Sequence, residues 1–359
     1  MSGSNEAVGG NAVAMTADTT TSNVVRSYGD VAREYEALRA GAILVDRSDR
    51  LRMTFAGAQS ADTLGGLVTN DVTALAPGEG QYAAALTPKG KLLADLRIFR
   101  VAGDMLLTDV PPRASAGWVG MIRKYVNPRL SRYTDVSSTL GNVGVFGASS
   151  RRIVSELTGI ATDSLQALPL YSHLVAQLPA GEARIARVPD AGLEGYELIA
   201  EPALLREIWA GAVEAGATPT GRDAWEIIRI EAGRPEWGVD MSDATLPQEA
   251  NLDELHAISY TKGCYTGQET VARIHFRGHV NRHLRALRST AAEPLPADAQ
   301  LLDDTGRAVG DVRSATISPR LGNIAMGMVR REIEPGTSLP CRWPGGGTEV
   351  TVWPLPFPL

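Results

Sequence analysis

The order of strand-like and helix-like segments is the feature that most limits how this chain can fold. Strand patterns occur at residues 51–57 and 81–100, and a helical pattern with one apolar face follows at 114–126. Because these segments show no regular βαβ alternation, the sequence predicts antiparallel sheets with helices packed against them, an α+β arrangement. From Leu284 onward, short strands separated by turns rich in Gly, Pro and Asp predict a small β-barrel or sandwich.

A second α+β unit follows the first along the chain. Residues 141–147 and 195–201 have strand patterns, and 202–217 places apolar residues at helical spacing. Another helix is predicted from Arg222. In the first unit, Ser60 is the predicted N-cap of a helix that follows the opening strand. The sequence therefore predicts two α+β halves and a C-terminal β domain.

Composition narrows the class of protein. With 359 residues, 44% of them apolar and 21% charged, the chain is long enough for two or three globular domains. No long apolar segment or signal peptide is evident, so we expect a cytoplasmic protein that contacts no membrane. Only Cys264 and Cys341 are present, which fits a reducing compartment. The net charge of −6 makes stable nucleic-acid binding unexpected.

One cysteine lies in the octet KGCYTGQE at 262–269. Gly263 and Gly267 flank it and allow a tight turn, and Lys262 would favour the thiolate of Cys264. These neighbours make Cys264 and Lys262 candidate catalytic residues. The alternative is a buried structural cysteine, which is a common environment for a free thiol.

A basic segment follows the octet at 271–288. It contains five arginines and three histidines but no acid, so it is a candidate surface for an anionic group. A solvated strand face is the alternative, and an RNA-binding surface is the least favoured. Gly278 and the alternation of Arg and His predict a strand and turn here rather than a helix. No metal site is predicted, since the three histidines would share a face only on a helix.

Two acids lie among apolar neighbours in predicted strands. Asp95 occurs in LLADLRIF and Glu197 in GYELI, where a carboxyl needs a hydrogen-bonding partner or a raised pKa. Glu197 has the geometry to accept two parallel hydrogen bonds from a ligand. The alternative is that each acid faces solvent. Motifs for dinucleotide, phosphate-loop, zincin and hydrolase sites are missing from the sequence.

Residues 231–279, which include the octet, resemble the signature region of the YgfZ proteins. These are folate-binding relatives of the glycine-cleavage T-protein, an aminomethyltransferase, and the octet is highly specific to the YgfZ branch. Weaker likenesses extend over nearly the whole chain after its N-terminal segment and occur at 69–72, 89–96, 195–199, 221–225 and 310–331.

The resemblance implies a fold of two ferredoxin-like α+β units and a C-terminal β-barrel, arranged as a three-lobed ring around a folate channel. The expected divisions are a disordered tail at 1–23, a folate-binding α+β region at 24–250, the octet with the basic segment at 251–283, and the barrel at 284–359. The implied cofactor is tetrahydrofolate or one of its one-carbon derivatives.

The resemblance also implies site residues. Glu197 and Arg222 match the residues with which T-proteins hold folate, and Asn70 in TNDV is a further implied folate contact. Asp95 matches the second aspartate of the T-protein's Asp-Asp pair, which is the catalytic one. Ala94 stands where the first aspartate would be, and the T-protein has no counterpart to Cys264.

Two functions follow from the resemblance. YgfZ proteins are associated with iron–sulfur cluster assembly or repair and, through client enzymes, with tRNA modification. The first expectation is therefore a tetrahydrofolate-binding accessory protein that serves iron–sulfur client proteins through Cys264. The alternative is a folate-dependent aminomethyl or one-carbon transferase of T-protein type, in which Asp95 is essential and the thiol is not.

Overall fold

The computed structural model describes residues 24–358 and arranges them in two sheets, a barrel and eight α-helices. The helices are α1 Val31–Ala40, α2 Ser60–Gly65, α3 Ser115–Tyr125, α4 Ser150–Thr158, α5 Thr162–Ala167, α6 Pro202–Glu214, α7 Arg222–Glu231 and α8 Gln268–Arg277. The strands are β1 Ala42–Asp46, β2 Leu51–Ala56, β3 Gly80–Leu86, β4 Leu92–Ala102, β5 Met105–Val110, β6 Arg132–Asp135, β7 Gly141–Phe146, β8 His173–Leu178, β9 Gly181–Arg187, β10 Gly195–Ala200, β11 Ala217–Pro219, β12 Arg282–Ser289, β13 Gln300–Leu302, β14 Ala308–Ser318, β15 Gly322–Arg330, β16 Ser338–Trp343 and β17 Gly346–Trp353.

The first sheet is antiparallel and has the strand order β3-β4-β5-β2-β6. Its longest pair, β3 and β4, is the hairpin that alternation and the Pro-Lys-Gly turn predict. Gly90 in that turn has a φ of +76°, and a Cβ there would lie 2.7 Å from the Thr270 side chain of α8. One face of the sheet packs on α3 through Trp118 and Ile122. The hairpin is thus fixed against the segment that follows the octet.

The second sheet has the order β11-β1-β7-β10-β9-β8 and is antiparallel except where β1 pairs with β11. Helices α4 and α6 cover one face, where Leu205 and Trp209 are buried against Val145 and Leu198. The two sheets are interleaved in sequence, since β1 precedes the whole first sheet but pairs with strands of the second. The α+β class is confirmed.

The other faces of the two sheets pack against each other. Phe99 and Leu107 of the first sheet share a core with Val45, Phe146 and Ile199 of the second. Because side chains in a strand alternate between faces, this contact also directs the polar residues at alternate positions of β4, β5 and β10 into the space between the sheets. The candidate site described below lies there.

The C-terminal domain is a closed barrel with the order β12-β15-β14-β13-β16-β17, as the sequence predicts. It docks on α7 and the segment after it. The Ser318 hydroxyl donates to Glu231 at 2.5 Å, Arg320 pairs with Glu231 at 3.3 Å, and the Ser314 hydroxyl donates to Asp240 at 2.6 Å. Two of these contacts use Glu231, the last residue of α7, and the third uses Asp240 in the segment after it, so the end of α7 docks the barrel.

Two local predictions are wrong. Residues 271–277 of the basic segment belong to helix α8 rather than to a strand. Gly278 is the C-cap of that helix, not a turn between strands. Ser60 is the first residue of α2 rather than its cap, and its hydroxyl bonds the Ser131 hydroxyl at 2.9 Å. The predicted disordered tail lies outside residues 24–358. Within that range no helix has the length and hydropathy needed to cross a bilayer.

Candidate functional site

A buried network of charges lies between the two sheets. Four arginines share three carboxylates, with ion-pair distances up to 3.5 Å, so each acid contacts at least two guanidinium groups. Burying charges costs little only when they are paired and hydrogen-bonded in this way. We call this network the intersheet cluster: Arg47, Arg50, Arg52, Arg97, Asp109, Asp190 and Glu197.

Glu197 on β10 is completely buried in this cluster. Its Oε2 accepts hydrogen bonds from Asn142 and forms an ion pair with Arg97 Nη2 at 2.8 Å. Its Oε1 lies 3.4 Å from Arg47 Nε but accepts no hydrogen bond from the described residues. One carboxylate oxygen of Glu197 is therefore free to accept a hydrogen bond from a ligand. The sequence prediction of two parallel hydrogen bonds needs both oxygens.

Asp109 on β5 holds three of the arginines together. Arg97 donates to it through Nε and Nη2, Arg50 donates through Nε, and Arg52 Nε lies 3.3 Å away. Although burial opposes it, the guanidinium groups of these arginines hold the pKa of Asp109 well below its usual range. Asp109 is thus a permanent anion whose role is to support the cluster.

Asp95 on β4 behaves differently. It is only 5% exposed, and its Oδ2 accepts a hydrogen bond from the Tyr82 hydroxyl at 2.9 Å. Its Oδ1 has no partner, and no cation of residues 24–358 forms an ion pair with it. Burial raises the pKa of Asp95 to about 6, against the opposing charge of Arg50 and the hydrogen bond from Tyr82. A buried carboxyl with one unused oxygen and a pKa near neutrality is suited to exchange a proton.

Tyr82 contacts Asp95, and a cavity opens near Tyr171, the tyrosine that stacks on Tyr82. The rings of Tyr82 and Tyr171 stack with centroids 6.0 Å apart, and Tyr171 takes a φ of +63° in the turn before β8. The cavity measures about 380 Å³. It is lined by Leu170 and Pro189, the sequence neighbours of Tyr171 and Asp190, and by Arg234. Asp95 is not part of this lining; Arg234 is, and its charge acts on Tyr82, the hydroxyl of which donates to Asp95.

Lys262 donates its hydrogen bonds to main-chain carbonyls and not to the Cys264 thiol. Its Nζ donates to the carbonyl oxygens of Gly65, Val68 and Asn70 at 2.6, 2.8 and 2.9 Å, just beyond the end of α2. These bonds use all three N–H groups of the ammonium. Lys262 thereby fixes the octet to the first sheet, and burial lowers its pKa to about 8.

Cys264 is exposed in a part of the octet without regular secondary structure. Gly267 has a φ of +84°, and a Cβ there would lie 2.6 Å from the Thr87 carbonyl, whereas Gly263 has open space around it. The turn thus depends on Gly267 alone. Nowhere in residues 24–358 do three His, Cys, Asp or Glu side chains gather as a metal site.

Arg222 and Asn70 lie apart from Glu197. Arg222 begins α7 with a side chain 40% exposed and pairs with Glu236 at 3.3 Å. Asn70 donates from Nδ2 to the main-chain carbonyls of Tyr82 and His256, so it holds the strand that carries the Tyr82 side chain.

The structure brings Asp95 and Glu197 to the same intersheet space, while Lys262 and Cys264 lie in the octet on the first sheet. Sequence reasoning missed Arg97, Tyr82 and Arg47. Arg97 could have been found, since it is two residues after Asp95 in one strand and so shares its face. Arg47 has no comparable signal in the sequence. Its Cζ lies 4.7 Å from the centroid of the Trp225 ring.

Comparison with known proteins places this geometry in a family. The model for the GCVT N-terminal domain matches residues 11–259, and the model for the glycine cleavage T-protein C-terminal barrel domain matches 282–357. The chain belongs to the glycine cleavage T-protein family. T-protein family members use tetrahydrofolate.

Similar T-protein family members cover most of the chain. The aminomethyltransferase of Nostoc sp. is 28% identical over 82% of this chain and 78% of its own length. That of Saccharopolyspora erythraea is 28% identical over 93% and 91%, respectively. The solved structure of the glycine cleavage system aminomethyltransferase T of Bartonella henselae aligns with a TM-score of 0.82 at 21% identity, over 93% of this chain and 91% of that one. This likeness agrees with the fold of sheets and barrel described above.

Proposed function

We propose that this protein is a tetrahydrofolate-dependent aminomethyl or one-carbon transferase of T-protein type, with Asp95 as its acid–base residue. The observation that carries the proposal is the state of Asp95: buried, oriented by Tyr82, with Oδ1 unused and a pKa of about 6. Asp109, which supports the cluster, has each carboxylate oxygen within 3.3 Å of an arginine nitrogen, whereas Asp95 forms no ion pair in the described chain.

The buried polar atoms between the sheets fit a pterin. Asp95 Oδ1 and Glu197 Oε1 are both acceptors without a hydrogen-bond donor in the described chain, and a pterin ring carries several N–H groups. Arg47 and Arg97 form ion pairs with Glu197, and hydrogen bonds to a carboxylate are stronger than those between neutral groups. When bound, tetrahydrofolate supplies the amine that takes up the one-carbon unit.

Asp95 is mostly ionised at neutral pH, because its pKa of about 6 lies below 7. Its Oδ1 can then accept a proton, while the Tyr82 hydroxyl keeps Oδ2 and the carboxylate plane in place. Ala94, next to it in β4, contributes no second carboxylate. The chain therefore assigns proton transfer to one acid.

Arg222 keeps the role that the resemblance implies, whereas Asn70 takes an indirect one. Arg222 would reach folate only by leaving Glu236, and a 40% exposed side chain has the freedom to do so. Asn70 would act through the strand that it holds, by keeping Tyr82 against Asp95. In this proposal the protein acts in the cytoplasm.

The exposed Cys264 supports a second candidate function. A thiol held outward by Lys262 and Gly267 is accessible to a partner, as a YgfZ-type role in iron–sulfur cluster maintenance requires. In that role the folate cavity and the thiol would together serve iron–sulfur client proteins and, through them, tRNA modification. Asp95 would then matter less than Cys264.

Asp95→Asn and Cys264→Ala separate the two candidates. The proposal predicts that Asp95→Asn lowers tetrahydrofolate-dependent transfer of a one-carbon unit by about 100-fold or more, while Cys264→Ala changes it less than about twofold. The activity of an iron–sulfur enzyme in cells carrying each variant as the only copy gives the second readout. Loss of that activity with Cys264→Ala, combined with no transfer by the wild-type protein, would favour the YgfZ-type function instead.

A further inference from the structure

Arg234 lies where the main chain leaves α7 and turns toward the barrel. Gly233 makes the turn with a φ of +64°. The Arg234 N–H then donates to the Arg229 carbonyl at 2.9 Å, and Arg229 Nη1 donates back to the Arg234 carbonyl at 3.1 Å. The backbone of Arg234 is therefore fixed, and its side chain lines the cavity described above.

Three arginines line this cavity, and two of them are occupied. Arg39 forms an ion pair with Glu231 at 2.9 Å, and Arg187 donates to the carbonyl oxygens of Gln166 and Leu168. Arg234 forms no ion pair with any carboxylate of residues 24–358. Because Arg234 is only partly buried, its guanidinium remains accessible to an anion that enters the cavity.

The neighbouring groups do not supply that anion, since the two lining carboxylates, Glu231 and Glu194, already pair with Arg39 and Arg151. Asp190 is already shared by Arg47 at 3.2 Å and Arg97 at 3.5 Å. Although burial alone would raise it, Arg97, Arg47 and Arg234 together lower the pKa of Asp190. Burial raises the pKa of Tyr171 to about 12, with the positive charge of Arg234 as the largest opposing influence, so the Arg234 guanidinium faces a neutral hydroxyl. The rest of the intersheet cluster already has more arginines than acids.

We propose that Arg234 anchors a carboxylate of the substrate in this cavity. The inference rests on the proposed function, which places one-carbon chemistry at Asp95. The guanidinium offers the two parallel donors that a carboxylate accepts, and Leu170, Val188 and Leu193 give the cavity an apolar wall for the rest of the molecule. The carboxylate belongs either to the glutamate of the folate or to a small amino acid that donates the one-carbon unit.

Equilibrium binding to the full-length protein distinguishes these sources. The probes are 5-formyltetrahydrofolate, its counterpart without the glutamate, glycine, and methylamine as the carboxylate-free analogue of glycine. The variants are Arg234→Gln and Arg234→Lys. Arg39→Gln is the matched control, since Arg39 lines the same cavity but is already paired. Thermal unfolding of each variant verifies that it folds.

The wild-type protein is expected to bind a carboxylate-bearing probe about 10- to 100-fold more tightly than its carboxylate-free counterpart. Arg234→Gln should lose that preference, Arg234→Lys should keep part of it, and Arg39→Gln should keep it all. If the two folates bind with different affinity, the anchored carboxylate is that of the folate glutamate. If glycine binds more tightly than methylamine, the anchored carboxylate is that of the amino acid that donates the one-carbon unit.

Two results would count against these assignments separately. If Arg234→Gln keeps the wild-type preference, or the wild type shows none in either pair, the role of Arg234 is wrong while the proposed function stands. If the wild type binds neither reduced folate, the proposed function is wrong, and the glycine titration without folate still decides whether Arg234 binds a carboxylate.

Discussion

Asp95 differs from the other acids between the sheets because no cation of the described chain forms an ion pair with it. Asp109 is surrounded by arginines, whereas Asp95 receives one hydrogen bond from Tyr82. Burial without a paired cation favours the protonated form, and this explains why their pKa values move in opposite directions. The same arrangement that makes Asp95 useful for proton transfer also costs the folded state free energy.

Asp95→Asn should therefore stabilise the folded protein above pH 6. The carboxyl has an ordinary pKa of 3.8 and a folded-state pKa of about 6, so its contribution to stability is fully present below 3.8 and is lost as pH rises through 6. At about 1.4 kcal/mol per pKa unit, the loss is on the order of 3 kcal/mol. Urea unfolding of the wild type and of Asp95→Asn between pH 4.5 and 8 measures how the difference in their stability changes with pH. A stability difference that does not change with pH would contradict this account.

Sequence reasoning reached these residues only in part. Asp95 and Glu197 are acids within apolar strands, which is visible in the sequence and requires a partner. Their partners are not visible, because Arg97 joins Glu197 only when β4 and β10 of different sheets face each other. That contact spans about a hundred residues and depends on how the sheets pack.

At the scale of elements, the octet is a connection whose shape depends on one glycine. Lys262 fixes its start to carbonyls beyond α2, and Gly267 brings its end against the β3–β4 turn before α8 begins. The hairpin was predictable from alternation and turn residues. Helix α8 was not, because Arg and His occur at alternate positions and imitate a solvated strand, although Gly278 in fact marks a helix end.

The two glycines beside Cys264 provide a matched pair. Gly267→Ala should lower the free energy of unfolding by about 2–4 kcal/mol, since its φ is +84° and the new Cβ would lie 2.6 Å from the Thr87 carbonyl. Gly263→Ala should change it by less than about 0.5 kcal/mol, because no atom lies within 4 Å of the added Cβ. Equal effects in chemical denaturation would show that the octet is not anchored at Gly267.

At the scale of the whole molecule, the intersheet cluster connects the two sheets through charge. Arg97 of β4 contacts Asp109 in its own sheet and Glu197 in the other, at 2.8 Å each. Helix α7 then connects this body to the barrel through Glu231. Short strands without helical periodicity predicted a C-terminal barrel or sandwich, and the resemblance chose the barrel that is found. The interleaving of β1 into the second sheet was not, because nothing local distinguishes that strand.

Arg97→Met should destabilise the protein by about 3–5 kcal/mol, because Asp109 and Glu197 would both lose a buried counter-charge. Arg206→Met on the exposed face of α6 is the control and should cost less than about 0.5 kcal/mol. Guanidinium-induced unfolding measures both. An Arg97→Met protein as stable as the control would show that the cluster does not hold the sheets together.

Binding of 5-formyltetrahydrofolate to the wild-type protein and to Glu197→Gln, measured by calorimetry, tests the central claim most directly. If a reduced folate lies between the sheets, the wild type binds it and Glu197→Gln binds at least about tenfold more weakly, because the charged acceptor at Oε1 is lost. Glu201→Gln, at an exposed position just beyond β10, should bind like the wild type. No binding by the wild type, or equal binding by Glu197→Gln, would contradict the account.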